Sequence, residues 1–245
     1  MLHKTKGIVL RTVKFGETSL VVTCFTQMFG LQSYMVNNVR LASKKGTVKA
    51  NYFQPASILD LVVYHNEHKN LQRIKEFKWA HLYQHLFSDI FKNAVSLFMV
   101  ELLSKCVKEP EPNTELFYFM EDALLHLDKA GSTVTANFSI FFSIHLAVFF
   151  GFRISDTFSE KNNYLDLYEG IFIDRQPGHL HFLEGKEAEA ISHFLKILHP
   201  QDLAEVKLNA ETRRKLLMAI ENYYALHIPD FGKMKTLPVL REVWN

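Results

Sequence analysis

The chain has 245 residues (28.5 kDa), of which 48% are hydrophobic, 22% charged and 13% aromatic. That balance supports a sizeable core and excludes both intrinsic disorder and a mini-protein scaffold. The two cysteines, Cys24 and Cys106, cannot build a disulfide framework or a four-thiolate zinc site, and the opening Met1–Gly7 has no signal-peptide apolar run; a reducing, cytoplasmic setting is expected. The longest apolar stretch, 138–152, is only 15 residues and contains Ser139, Ser143 and His145, short of the roughly 20 that a membrane-spanning helix needs.

The net charge of +2 hides an uneven distribution. Residues 1–79 hold 12 Lys/Arg against 4 Asp/Glu, a net +8, whereas residues 80–245 hold 16 against 22, a net −6. In the first 59 residues the only acid is Glu17, set against Lys4, Lys6, Arg11, Lys14, Arg40, Lys44, Lys45 and Lys49. A basic first third on a faintly acidic body is the electrostatic footprint of a partner that is a polyanion.

In chain order, the β-branched and aromatic runs 8–13, 19–25, 31–36, 56–64 and 71–79 predict five strands, with turns at Phe15-Gly16-Glu17 and Phe29-Gly30. Five short strands in residues 1–79 predict a small closed barrel. Between the third and fourth lies a basic segment, Asn37–Asn51, long for a simple turn. From about His81 the apolar positions Leu82, Leu86, Phe87, Ile90, Ala94 and Leu97 recur at helical spacing, so a helical domain over 80–154 is expected. Glu109–Asn113 stops that helix, and Asn113 can cap the next, 114–130. A third helix, about 133–150, is apolar on nearly every side and belongs at the centre of a bundle. Residues 155–183 lose helical period and predict an inserted hairpin, 167–173 with 179–183. Helices return at about 185–198 and, after a cap at Asn209, 210–227, so residues 184–245 are expected to pack on the helical domain.

No phosphate-loop, dinucleotide-binding or nucleophile-elbow motif occurs. His81 and His85, four residues apart on an expected helix, and His179 with His181 have no evident third ligand, and no metal site is expected. Carboxylate pairs such as Glu121/Asp122 and Glu187/Glu189 read as solvated faces, and no catalytic residue is expected. The constellation that stands out is the basic loop Arg40–Lys49, interleaved with Tyr34, Tyr52 and Phe53. Cations neutralise phosphates with release of counterions while aromatics can stack unpaired bases, the two elements of a sequence-independent single-strand site. An RNA-binding barrel and a non-catalytic interaction scaffold are the alternative readings of the same residues.

These residues also resemble a known family. Gly7-Ile8-Val9-Leu10-Arg11-Thr12, Phe15-Gly16-Glu17-Thr18-Ser19, Phe25-Thr26 and Phe29-Gly30 are similar to the opening strands of the RecO recombination mediators of bacterial DNA repair. Asn38-Val39-Arg40 stands where that family usually has Gly-Ala-Arg. Ser43-Lys44-Lys45 and Phe53-Gln54-Pro55 are similar to its basic loop and following strand entry, and the ending 223–240 resembles its closing helix and tail.

The resemblance implies a β + α multidomain fold, an N-terminal five-stranded OB-fold barrel followed by an α-helical bundle with a small inserted β-hairpin. Many members carry a four-cysteine zinc module in the position of residues 155–183, where this chain has no cysteine. The implied activity is non-enzymatic: binding single- and double-stranded DNA, annealing complementary strands, engaging the acidic C-terminal tail of single-stranded DNA-binding protein, and acting with RecR to load RecA. By position, Arg40 and Lys44 match the family's basic loop, and charge adds Arg11, Lys45 and Lys49. Candidates for holding an acidic tail are Arg153, Arg213, Arg214 and Lys215. No cofactor is implied.

Overall fold

The computed structural model describes residues 1–40 and 49–244. Strands β1 (Leu2–Phe15), β2 (Ser19–Thr26), β3 (Gly30–Val36), β4 (Ile58–Tyr64) and β5 (Leu71–Trp79) precede helices α1 (Ile90–Cys106), α2 (Thr114–Lys129) and α3 (Ser132–Val148). Three short strands follow, β6 (Tyr164–Asp166), β7 (Ile171–Ile173) and β8 (Phe182–Glu184), and then α4 (Gly185–Lys196), α5 (Ala210–His227) and α6 (Thr236–Val243). The chain forms two compact units, Met1–Gln84 with Val107–Leu125, and His85–Cys106 with His126–Asn245.

In the first unit the five strands close into a barrel of order β1-β2-β3-β5-β4, the OB-type architecture expected from the sequence. Only the β3–β5 seam is parallel, over Ser33–Met35 and Leu71–Arg73. Alternate residues of each strand point inward, and Val9, Val22, Cys24, Tyr34, Leu59 and Val63 fill the interior with no exposed surface. The β2–β3 turn runs through Gly30 at φ +59, where a Cβ would lie 2.1 Å from the Glu111 carbonyl oxygen, so both conformation and space require glycine.

That contact belongs to a larger one. The first turns of α2, which the sequence pattern groups with the helical domain, pack on the barrel. Phe117 meets Phe25 with ring centroids 6.1 Å apart, Lys6 Nζ lies 2.8 Å from Glu121 Oε1, and Gln27 Nε2 donates to the Tyr118 hydroxyl at 2.7 Å. Glu121 is therefore not on a solvated face: it is 8% exposed and holds Lys6. Its hydrogen bond raises the Lys6 pKa against the opposing effect of burial.

In the second unit α3 is the buried centre, packed against α1, α4 and α5. The polar groups on its apolar length are satisfied locally or by neighbours. Ser143 Oγ donates to the Ser139 carbonyl at 2.7 Å, Asn137 Nδ2 to that of Val206 at 2.8 Å, and Tyr224 Oη to that of Ser143 at 2.6 Å. The first helix starts at Ile90 rather than His81. Asp89 accepts from the Phe91 and Lys92 amides and so caps it, while buried Asp128 accepts from the His85 and Leu86 amides at 2.8 and 2.7 Å, holding them in a turn. Leu82, expected in the helical stripe, is 69% exposed.

The insertion is a three-stranded sheet of order β7-β6-β8, not the two-stranded pairing of 167–173 with 179–183. Asp166 Oδ1 accepts from the Tyr168 amide and Gly170 takes φ +65, which makes a turn in the middle of the run expected to be one strand. No helix among the described residues is long and apolar enough to cross a membrane.

His145, on α3, donates from Nε2 to the Ile197 carbonyl at 3.0 Å and lies against Phe141. Burial lowers its pKa, opposed by that hydrogen bond. The folded state then takes up its proton less readily than the unfolded chain, so stability is complete above about 6.5 and declines as pH falls below it. Burial lowers His65 in the same direction. Urea unfolding of His145→Gln should show a shallower decline below pH 6.5 than the parent, with the part due to His65 retained.

Candidate nucleic-acid interface

The outer surface of the barrel has a covered side and an open side. Phe25, Lys6 and Gln27 face α2, as described. The open side is created by a register shift in β1 between Val9 and Arg11: Val9 pairs with Cys24 and Arg11 with Thr23, so Leu10 is an extra residue. Because side chains alternate along a strand, one extra residue reverses the faces beyond it. Val9 is fully buried, whereas Arg11, two residues on, is exposed.

The pairings then define two outward rows. Arg11, Thr23, Ser33 and Leu71 form one; Val13, Val21, Met35 and Arg73 form the other. Thr23 Oγ1 and Ser33 Oγ lie 3.3 Å apart in the first row. Each row crosses three strand spacings, roughly 14 Å at about 4.8 Å each. An exposed arginine stands at opposite corners of a shallow surface with polar and apolar strips. Arg73 was not singled out from the sequence. Its signal lies in β5, where Arg73 follows the buried Gln72 and so falls on the outward side, but nothing local tells which strands β5 joins.

Arg40 sits at one end of this face. Its amide donates to the Thr18 carbonyl at 3.1 Å and its Nη1 to that of Gly16 at 3.0 Å, so it braces the β1–β2 turn while staying partly exposed. Lys49 is exposed at the start of a 3-10 turn, Lys49–Phe53, which is tied down by Thr12 Oγ1 donating to the Phe53 carbonyl at 2.6 Å and by buried Phe53. In that turn Tyr52 stacks on Trp79 at 4.7 Å. Lys44 and Lys45 lie outside the described residues. Tyr34, expected as a companion of the basic loop, is instead in the barrel core with no exposed surface, because it points inward on β3.

The remaining constellations separate. His81 and His85 share no helix, since α1 begins after them. His179 Nε2 lies 3.2 Å from Asp166 Oδ2, and His181 Nδ1 lies 2.8 Å from Asn222 Nδ2. Among the described residues no group of three or more His, Cys, Asp or Glu gathers as a metal would require. A four-thiolate zinc does not fit residues 155–183: both cysteines are buried elsewhere, in β2 and α1, and the small sheet packs around Leu165, Leu167 and Phe172. Burial pushes the Cys24 thiol up to about 12, which keeps it protonated. Glu187 holds Lys215 Nζ at 3.1 Å, and Lys215 also reaches Glu211 at 3.4 Å, so this tail candidate is engaged by its neighbours. Arg153 is exposed.

Known proteins match this layout from end to end. A family profile described as Recombination protein O N terminal covers residues 1–83, and a second, Recombination protein O C terminal, covers 87–237. The chain belongs to the RecO family. Proteins named DNA repair protein RecO are similar over the whole of both chains: 33% identical over 247 residues in Flavobacterium johnsoniae, 31% over 246 in Bacteroides fragilis, and 30% over 248 in Azobacteroides pseudotrichonymphae.

The departure from the RecO pattern at Asn38 has a conformational explanation. Asn38 takes φ +57, the left-handed region that glycine occupies freely and asparagine tolerates better than other residues, and Val39 after it is buried in the barrel core. That turn leads into Arg40, two residues on. Asn38→Gly should leave stability within about 0.5 kcal/mol. Asn38→Val should cost about 1–2 kcal/mol, read by denaturant unfolding, because a β-branched side chain resists this conformation.

Proposed function

We propose that this chain is a recombination mediator of DNA repair that binds single- and double-stranded DNA through the open face of its barrel. In this reading it anneals complementary strands and breaks no covalent bond. It works in the cytoplasm with RecR, engages the acidic tail of single-stranded DNA-binding protein, and so helps load RecA onto coated DNA. The observation that carries the DNA-binding part is the outward reversal of Arg11 on a face that also presents Arg73 and adjoins Arg40. Membership in a family whose relatives are named DNA repair proteins supports the setting.

The proposed contacts are Arg11, Arg40, Lys44, Lys45, Lys49 and Arg73. Arginine and lysine on an open sheet grip phosphates without reading bases, so a bound strand can shift register while it searches for its complement. The β2–β3 face is also where OB-folds take oligonucleotides.

Anisotropy with labelled oligonucleotides tests this. With these six cations on phosphates, log K should fall with log salt at a slope near −4 on single strands. The double variant Arg11→Ala/Arg73→Ala should weaken binding to all sequences alike and make the slope shallower by about 1.4. A flat salt response in the parent, or undiminished binding by the folded variant, would contradict the assignment.

A further inference from the structure

The second unit contains a cleft that the barrel face does not account for. It lies between the N-terminal half of α5 and the end of α6, has a volume of about 270 Å³, and is lined by Ala210, Glu211, Arg213, Arg214, Leu217, Leu240, Arg241 and Trp244. The buried Leu217 and Leu240 form apolar lining, while Arg214 and Arg241 are exposed at its edge. Glu101 of α1 fixes the α6 side, accepting from the Lys235 and Thr236 amides at 2.8 Å each and from Thr236 Oγ1 at 2.6 Å. Trp244 is further packed on Phe91 at 4.8 Å.

The charges there are unbalanced. Arg213 is half-buried, its guanidinium 5.6 Å from the Trp244 ring centroid, and its hydrogen bonds go to neutral oxygens, Leu208 O at 3.1 Å and Asn137 Oδ1 at 3.4 Å. Burial lowers its pKa, and no counter-charge among the described residues offsets that. Among the described residues no carboxylate pairs with Arg213, Arg214 or Arg241, and the one acid in the lining, Glu211, lies 3.4 Å from Lys215. Three guanidiniums thus converge on one cleft within a stretch, 80–245, whose net charge is −6. Arg213 and Arg214 also stand in the N-terminal half of α5, where the helix dipole disfavours cations, so helix stability does not explain them.

We propose that this cleft is a second nucleotide site, which takes one unpaired base of a DNA strand against the Arg213–Trp244 pair and the leucine lining, with the flanking phosphates on Arg214 and Arg241. Guanidinium forks match phosphate geometry, and the guanidinium–indole pair offers planar surface to any base. The inference rests on the DNA-binding reading above and adds to it a hold on nucleic acid by the second unit.

Trp79 and Trp244 are the two tryptophans of the chain, so Trp79→Phe makes Trp244 the sole indole reporter. Titration of this full-length variant with labelled oligothymidylate should quench Trp244 emission in step with the rise in anisotropy. Adding Arg214→Ala and Arg241→Ala should abolish the quench, weaken binding several-fold and make the salt slope shallower by about 1.4, or 0.7 for each of two phosphates. Binding seen by anisotropy with Trp244 emission unchanged would overturn this site and leave the barrel reading standing; no binding at all would overturn both. Quenching by an acidic peptide but not by the oligonucleotide would also overturn it. If Trp79→Phe folds poorly, photocrosslinking of iodouridine-containing oligonucleotide to the unaltered chain replaces the titration: labelling of Trp244 supports the site, and labelling confined to the barrel overturns it.

Discussion

One extra residue in one strand decides what the barrel offers to solvent. β1 is 14 residues long and serves two partners, β4 over Leu2–Ile8 and β2 over Gly7–Phe15. At its middle the Val9 amide donates to the Ser57 carbonyl at 2.9 Å and its carbonyl accepts from Ala56 at 2.8 Å, so the strand is pinned where its register changes. Without the extra residue at Leu10, Arg11 would follow Val9 into a core already filled by Val22, Cys24 and Tyr34. A buried guanidinium with no partner would cost several kcal/mol. The shift resolves that conflict by turning Arg11 outward and leaving Thr12 inward to hold the 3-10 turn.

The rest of the unit follows from where that turn leaves the apolar surface. Outward positions at the Phe25 end are covered by α2, with the Lys6–Glu121 pair fixing its seat, so one cation of the basic first third is given over to structure. The other outward positions stay open. A mixed surface of Val13, Val21, Met35, Thr23 and Ser33 between arginines is poorly suited to reading bases, which need closely placed donors and acceptors, but well suited to a loose grip on backbone. For the strand annealing proposed above, weak and uniform contacts are an advantage.

Much of this was legible in the chain. Five strands, the Asn113 and Asn209 caps, the all-apolar α3 and the basic character of the first third all follow from local patterns, and the caps appear with Leu116 and Thr212 amides on the expected oxygens. What was not legible depends on long-range pairing. The run Ile8-Val9-Leu10 gives no sign that Leu10 is supernumerary. Arg73 joins the face only through the parallel β3–β5 seam. The start of α1 at Ile90 depends on Asp128, about 40 residues away, competing for the His85 and Leu86 amides. Tyr34 reads as a stacking residue because the basic segment 40–49 follows it in sequence, whereas its parity on β3 sends it inward.

The most direct test of the central claim, that the open barrel face holds phosphates while strands find their complements, is the annealing rate of two complementary oligonucleotides precoated with the cognate single-stranded DNA-binding protein. The account predicts that the parent chain accelerates annealing at low salt, that the acceleration disappears at high salt, and that Arg11→Ala/Arg73→Ala loses most of it at low salt. Annealing left unchanged by the parent chain, under conditions where it binds uncoated DNA, would contradict the account.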